Sequence, residues 1–362
     1  MEKKSRVHQI EKFLPLITPV VSLALALIIS LFIVYYTIPD LSLGESASLF
    51  FKSLFEANFK NTKAISDFLV NSTPLIFTGL AHALAFRSGL FNIGVEGQFT
   101  IAAITAAALG LIPGLPMIIH VPLVISGAII AGAIWAFIPG FFKATRGTNE
   151  VVNTIMMNYI AMHVYNYIIK NPLKVENSVA TAQIQASATL YRFLGDRYRV
   201  NVGLFIALAA AVGVWYFMSH TKKGYELRAT GLNMYAAEYG GMNRKRNIIL
   251  AMVISGALAG LAGAGQIMGP EHSAKELAKF AGFGFNGIAV ALLAKSHPLG
   301  VLLSALLFGA LINAGPYMQL NGISKDIGFV VQALVILFVA ADHVWKMLLD
   351  QRKKKEAAKN GR

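Results

Sequence analysis

The residues most capable of chemistry are polar side chains that lie within long apolar stretches of the sequence. Asn92, Glu96 and Gln98 belong to the segment FRSGLFNIGVEGQ, whose other residues are mostly apolar or glycine. A carboxylate inside a bilayer costs several kcal/mol, so membrane proteins that carry one commonly use it to line a polar path. The alternative for Glu96 is the first turn of a helix, where free N–H groups and the helix dipole stabilise an anion.

A second polar group begins at Glu150, directly after Thr148 and Asn149. Asn153 and Asn158 continue it along the same predicted helix. An amide inside a bilayer needs a hydrogen-bonding partner, so this stripe faces either a water-filled cavity or another helix.

Motifs that would carry catalysis are missing from the sequence. There is no G-x-x-x-x-G-K-[ST] motif, so the chain has no P-loop for a nucleotide. There is no H-E-x-x-H motif and no cysteine, and the eight histidines are scattered, which argues against a metal site. Apolar segments also lack the Asp and Lys pairs expected of a proton-coupled carrier. We therefore predict a protein without catalysis and without a cofactor of its own.

These polar residues sit in a chain with the composition of a membrane protein. Of its 362 residues, 56% are hydrophobic and 14% are charged, whereas soluble domains have about 25% charged residues. The length suits about ten spanning helices of about 20 residues each and leaves no room for a large soluble domain. The predicted fold is an all-α polytopic membrane protein with a single transmembrane domain over residues 1–362.

The first part of the chain contains two kinds of apolar segment. The apolar run 14–38 is too long for the core of a signal peptide, so it is predicted to be a retained first helix. Within 39–70, phenylalanines recur at helical spacing with charged residues between them. This pattern predicts either an amphipathic helix at the outer interface or an ordinary packing helix. The second spanning helix is predicted over 71–86.

The basic residues indicate how the chain is oriented. They number 32 against 18 acidic residues, a net charge of +14, and they cluster at the ends of apolar segments. That distribution follows the positive-inside rule, so it is explained by a membrane and not by nucleic acid. Strict alternation of ten helices places the basic loop 219–247 and the basic tail 346–362 in the cytosol. Both termini are therefore predicted to be cytosolic.

Two glycine-broken segments of similar sequence lie in the two halves of the chain. GLFNIGV occupies Gly89–Val95 and GFGFNGIAV occupies Gly282–Val290. Such a pair favours an inverted repeat with a translocation pathway between its halves. The alternative is two glycine-rich turns whose likeness is due to chance. On the first interpretation the pathway residues are Phe91, Asn92, Glu96, Gln98, Asn153, Phe285 and Asn286.

The polar segment Gly224–Arg246 separates two strongly apolar stretches. Its residues favour a short helix that Asn233 can cap and that Gly240 and Gly241 end. A short helix in a cytosolic loop either offers a surface to a partner or merely anchors the flanking helices.

Four ordered blocks resemble the membrane permease subunits of ABC importers, in the branch for simple sugars and nucleosides. They are FRSGLFNIGVEGQFTIAA, GTNEVVNTIMMNYIA, GYELRATGLNMYAAEYGGMN and GFGFNGIAVALLA, within a match over about 70–345. The resemblance identifies the loop 219–247 with the coupling helix that seats on an ATPase. The residues implied in that coupling are Gly224, Arg228, Gly231, Asn233, Ala236, Ala237, Gly240 and Gly241.

The resemblance also implies partners. They are a second permease subunit that differs from this one, two cytosolic ABC ATPase subunits that bind ATP and Mg²⁺, and an extracytoplasmic substrate-binding protein. The expected location is a bacterial cell membrane and the expected substrate is a nucleoside, purine before pyrimidine, or a related sugar. The alternative is an ion-coupled secondary carrier for the same solutes.

Overall fold

The computed structural model describes residues 21–38 and 41–340 of the chain. Its α-helices are, in chain order, α1 (Val21–Thr37), α2 (Leu43–Phe59), α3 (Thr62–Arg87), α4 (Val95–Gly110), α5 (Met117–Arg146), α6 (Glu150–Lys170), α7 (Gly203–His220), α8 (Lys222–Leu232), α9 (Met234–Tyr239), α10 (Arg244–Gln266), α11 (Phe283–Leu293), α12 (Pro298–Leu320) and α13 (Ile327–Ala340). A π-helical segment, Ile267–Glu271, extends α10. The described residues form no β-strand, so the predicted all-α class is confirmed. The predicted basic tail 346–362 and the first seven residues of the predicted first helix lie outside the described residues.

Five helices of the described residues are long and apolar enough to cross a membrane. They are α3, α5, α7, α10 with its π-helical extension, and α12, and shorter apolar helices accompany them. The helix α5 is apolar on its outer side as well as its inner side, because Ile130 and Ile134 are more than half exposed while Ala128 and Ala136 are fully buried. A helix that is hydrophobic all round indicates a lipid surrounding.

The helix α3 is longer than predicted from the sequence. The prediction placed its start at residue 71, whereas α3 begins at Thr62, where the side chain of Asn61 accepts a hydrogen bond from the backbone of Ala64 at 2.9 Å. An apolar run marks only the membrane-embedded part of a helix, while the N-cap decides where the helix begins. The segment 39–70 therefore contains α2 and the first turns of α3. The exposed Phe51, Phe55 and Phe59 lie on α2.

The chain divides into two compact units. The smaller unit holds the residues before 58 and after 310. Within it, Asn313 donates to the carbonyl oxygen of Ala57 at 2.8 Å, and Asn321 donates to the Ser53 hydroxyl at 3.0 Å. Amide and hydroxyl groups therefore join α2 to the last turns of α12.

The larger unit, Asn58–Ala310, is built around α10. Two glycines of α10 lie directly against α5, since a Cβ at Gly256 would be 2.3 Å from the carbonyl oxygen of Gly132 and one at Gly260 would be 2.5 Å from that of Ala128. Small residues at these positions allow the two backbones to approach closely, which is how helices associate in lipid. At Gly265, further along α10, nothing lies within 4 Å of an added Cβ.

Candidate coupling and translocation sites

The glycine break before α4 is closed by a network of buried side-chain amides. Gly89 adopts a positive φ of 73° as the chain leaves α3. Asn92 is fully buried, and its amide nitrogen donates to Gln98 at 3.1 Å and to the Ser255 hydroxyl at 2.9 Å. The amide oxygen of Asn92 accepts from the backbone of Gly94 at 3.1 Å. Asn92 and Gln98 therefore satisfy each other and the broken backbone.

The helix α6 holds the same break from its other side. Asn158 accepts a hydrogen bond from the backbone of Gly97 at 2.8 Å and donates to the carbonyl oxygen of Ile93 at 3.0 Å. The sequence left a water-filled cavity or another helix as the surroundings of this polar stripe. Asn158 faces another helix. Asn153 instead donates to the Thr148 hydroxyl at 2.7 Å, in the turn that precedes α6.

Glu96 joins the two glycine-broken segments. It is fully buried in the first turn of α4, and its carboxylate reaches across to the start of α11. It accepts backbone hydrogen bonds from Gly282 at 2.7 Å, Gly284 at 2.6 Å and Phe285 at 3.2 Å. Charge-assisted bonds of this kind are stronger than neutral ones. The positive ends of two helix dipoles thus stabilise one carboxylate, which stays buried without a cationic partner among residues 21–38 and 41–340.

The first turns of α4 and α11 are in contact. A Cβ at Gly284 would be only 2.4 Å from the backbone nitrogen of Glu96. From α3, the Thr78 hydroxyl donates to the carbonyl oxygen of Phe283 at 2.9 Å, and His82 Nε2 lies 2.9 Å from that of Gly284. Two helices, α3 and α4, therefore fix the start of α11.

The remaining predicted pathway residues lie in different surroundings. Phe91 is 39% exposed and stacks on Phe86 at 4.9 Å between ring centroids. Phe285 is 37% exposed and packs edge-on against Phe280 at 5.5 Å. Asn286 is half-buried in the first turn of α11. The structure therefore pairs Asn92 with Gln98 in the protein interior and directs the buried Glu96 to α11 instead. It gives the two phenylalanines different neighbours.

Sequence reasoning overlooked the partners of this network, namely Thr78, His82 and Ser255. Each is buried and polar within an apolar helix. That combination was a usable signal, because an apolar membrane helix keeps a buried polar residue where it has a hydrogen-bonding partner.

The loop 219–247 forms two short helices instead of one. The helix α8 ends at Leu232, and Asn233 then caps α9 as predicted, accepting from the backbones of Tyr235 at 3.1 Å and Ala236 at 3.0 Å. The predicted glycine stop is also confirmed, since α9 ends before Gly240 and Gly241 has a φ of 81°.

The surface of α9 and the end of α8 is apolar and exposed. The relative exposures are 89% for Leu232, 73% for Tyr235 and 98% for Tyr239. Ala236 is exposed beside them, whereas Ala237 is buried against the loop itself. An exposed apolar patch on a polar loop typically marks a site of protein–protein contact.

Two glycines seat this loop on the transmembrane helices. A Cβ at Gly224 would be 2.0 Å from the carbonyl oxygen of Phe217, at the end of α7. A Cβ at Gly231 would be 2.4 Å from the carbonyl oxygen of Arg87 and 2.7 Å from the backbone nitrogen of Gly89. The end of α8 therefore touches the glycine break that leads into α4.

Arg228 lies on α8 close enough to Arg87 for the two guanidinium groups to repel each other. The Nε atom of Arg228 is buried and has no hydrogen-bond partner among the described residues. Arg244 is used within the loop, because it lies 3.7 Å from the Glu238 carboxylate and over the ring of Tyr235. Arg228 therefore has a donor without a hydrogen-bond partner among the described residues, whereas Arg244 is already paired within the loop.

Comparison with known proteins places this architecture in a family. Residues 64–340 match the family described as the permease component of the branched-chain amino acid transport system. The chain is 41% identical over 319 residues to a guanosine ABC transporter permease protein, NupP, of Bacillus subtilis, covering 87% of this chain and 91% of the relative. It is 36% identical over 323 residues to a nucleoside ABC transporter permease protein, NupB, of Lactococcus lactis, covering 86% of this chain and 89% of the relative.

More distant relatives extend the comparison. A glucose ABC transporter permease protein, TsgB13, of Haloferax volcanii is 31% identical over 309 residues, covering 81% of this chain and 80% of the relative. A second guanosine permease protein of Bacillus subtilis, NupQ, is 27% identical over 292 residues, covering 75% of this chain and 88% of the relative. The chain is thus an integral membrane transport component without enzymatic activity of its own, and it belongs to the family of ABC transporter permease subunits of the branched-chain amino acid type.

Proposed function

We propose that this chain forms the translocation pathway of an ABC importer for nucleosides, with purine nucleosides preferred. The observation that carries the substrate class is the similarity over most of the chain to permeases named for guanosine and nucleosides. The glucose permease is less similar, so a sugar is the second candidate.

The loop 219–247 is proposed as the docking site of a separate cytosolic ATPase, which supplies ATP and Mg²⁺. The exposed apolar surface of Leu232, Tyr235 and Tyr239 supports this, because aromatic residues dominate the energy of many protein interfaces. The contact between Gly231 and the break at Gly89 supports a mechanical role. Movement of the docked loop would be passed directly to the start of α4.

The ten-helix topology and the inverted repeat are part of the same proposal. In the first half α3 is followed by a glycine break and α4, and in the second half α10 is followed by a break and α11. The packing is reciprocal, since α4 packs against α10 and α11 packs against α3. The first turns of α4 and α11 also meet, which supports two half-chains of opposite orientation. With α2, α8 and α9 outside the bilayer, ten helices cross it and both termini are cytosolic.

The proposed assembly contains a second, different permease subunit and an extracytoplasmic binding protein. Two permease proteins named for guanosine in Bacillus subtilis are both similar to this chain but to different degrees. A pair of unequal subunits accounts for that pattern.

The test is uptake into proteoliposomes. The chain is reconstituted with its second permease, the ATPase subunits and the binding protein, and labelled guanosine is competed with uridine or ribose. We expect uptake that requires ATP, is blocked by vanadate and is competed better by uridine than by ribose. Uptake by this chain alone without ATP would instead establish the ion-coupled carrier.

Replacing Ala236 with glutamate should uncouple ATP hydrolysis from uptake. The exposed side chain would place a carboxylate in the proposed apolar contact, where an unpaired charge costs several kcal/mol. Vanadate-sensitive uptake and co-purification of the ATPase should both fall by about tenfold or more. Ala237 is unsuitable for this test because it is buried in the loop.

The matched control for Ala236→Glu is Thr145→Glu, which adds the same charge at an exposed position near the end of α5, outside the loop 219–247. It should leave uptake within about twofold of the native value, as exposed surface substitutions usually do. Native uptake in the Ala236→Glu protein would show that α9 is not the docking surface.

A further inference from the structure

A cavity of about 350 Å³ lies within the larger unit, between α4, α6 and the chain that follows α10. This volume is at the small end of the range for small-molecule sites. In the proposed topology α10 starts in the cytosol, so the cavity lies on the outer side of the subunit. None of the predicted pathway residues lines it.

The floor of the cavity is aromatic and buried. Phe99 and Thr100 on α4 are 4% and 1% exposed, and Tyr165 on α6 is 4% exposed. Thr100 donates its hydroxyl proton to the carbonyl oxygen of Glu96 at 2.8 Å, so its oxygen can only accept from a solute. Such a floor suits a flat ring with few polar atoms facing it.

The rim of the cavity is charged. Gln266 donates to one carboxylate oxygen of Glu271 at 2.7 Å, which orients the group. The described residues supply no hydrogen bond to the other oxygen. Lys275 and Arg199 also line the cavity and lie close enough to attract the Glu271 carboxylate.

This combination selects against ions and against plain hydrocarbon. A strongly charged solute would be attracted by one rim group and repelled by its neighbour of opposite charge. A neutral solute with several hydroxyl and ring-nitrogen groups can use both signs, because a carboxylate accepts from hydroxyls while Lys and Arg donate to carbonyl and ring acceptors. A nucleoside has these groups together with a flat ring for the aromatic floor.

We propose that this cavity is a nucleoside-binding subsite on the outer side of the subunit. The base packs against Phe99 and Tyr165, and the ribose hydroxyls donate to Glu271. This inference rests on the proposed nucleoside transport and adds a location for substrate within this one chain.

The absence of cysteine from the sequence makes a direct test possible. Ala281 lines the cavity and is exposed, so Ala281→Cys adds one accessible thiol. In the assembled transporter, labelling of this chain by a membrane-impermeant methanethiosulfonate reagent is followed by mass spectrometry. We expect saturating guanosine to slow labelling by about tenfold and an equal concentration of ribose to have little effect. The control, Glu176→Cys on an exposed outer loop, should label equally in all conditions.

A second variant tests the rim. Glu271→Gln in the Ala281→Cys background keeps the size of the side chain but loses its charge. The guanosine concentration needed for half-protection should rise by about tenfold, since hydrogen bonds to charged groups are the stronger ones. An unchanged concentration would overturn the role of Glu271.

The same preparations separate this inference from the proposed function. ATP-driven guanosine uptake without any protection of Ala281→Cys would overturn the subsite and leave the transport function standing. Equal protection by ribose would overturn the nucleoside assignment of the cavity. If the native complex shows no ATP-driven uptake of guanosine, the transport function fails, and protection then decides the subsite by itself.

Discussion

Replacing Glu96 with alanine will abolish ATP-driven uptake and destabilise the protein. The substitution removes the carboxylate that accepts from Gly282, Gly284 and Phe285, and it leaves these backbone N–H groups in a dry interior. Each unsatisfied buried group costs about 1–3 kcal/mol, so the first turn of α11 will separate from α4. We expect thermal unfolding of the purified complex at a clearly lower temperature and loss of uptake of at least tenfold.

Glu96→Gln separates the contribution of the negative charge of Glu96 to stability from that of the shape of its side chain. Glutamine keeps one oxygen acceptor but turns an amide donor toward backbone donors, so an intermediate loss of stability is expected. The matched control is Glu150→Gln, which also changes a glutamate in a first helical turn. Glu150 pairs with Lys143 at 2.7 Å in a half-buried position. Water still reaches both groups, so the loss is expected near the upper end of the 0–1 kcal/mol that surface pairs contribute, about 1 kcal/mol. If Glu96→Ala and Glu150→Gln unfold at the same temperature, Glu96 does not hold the two helices together.

The second large effect is expected at Gly231. A single methyl group at this position would lie 2.4 Å from the carbonyl oxygen of Arg87, which is backbone and has no rotamer by which to move away. Overpacking of this kind typically costs about 1–3 kcal/mol, and here α8 must lift from the end of α3 to relieve it. Gly231→Ala should therefore reduce uptake by about tenfold or more while ATPase subunits still hydrolyse ATP.

Gly240→Ala is the control because it makes the same change in the same loop without a close contact. The nearest atom to its Cβ would be 3.4 Å away, and its φ of −74° suits alanine. Uptake should stay within about twofold of native. The ratio of ATP hydrolysed to guanosine imported is the decisive measurement. If the Gly231→Ala protein has the native ratio, the contact between Gly231 and Arg87 does not transmit movement of the loop to the transmembrane helices.

The glycines of the loop 219–247 show how far local sequence reasoning reaches. Gly240 and Gly241 end a helix, and that role follows from the residues next to them. Gly231 was assigned to the coupling loop only by resemblance. Its close approach to Arg87 and Gly89 joins segments more than 140 residues apart in the chain, and no local pattern records such a contact.

The helix boundaries also divide into those that the apolar runs predict and those that they miss. Apolar runs at about 118–140, 150–169 and 201–218 in the sequence mark α5, α6 and α7 to within a few residues at most boundaries. A helix in lipid must be apolar over its whole embedded length. The start of α3 was missed since its first turns are polar and held by the Asn61 cap.

The sequence by itself determined that this chain is an all-α membrane protein without a P-loop, and it offered the first turn of a helix as one of two placements for Glu96. Both are properties of composition and of neighbouring residues. Only the tertiary structure decided what Glu96 binds, because its partner Gly284 lies 188 residues further along the chain. The cavity beside Phe99 and Glu271 likewise exists only where α4, α6 and the end of α10 converge. A buried polar group must find a partner, but folding alone determines which one.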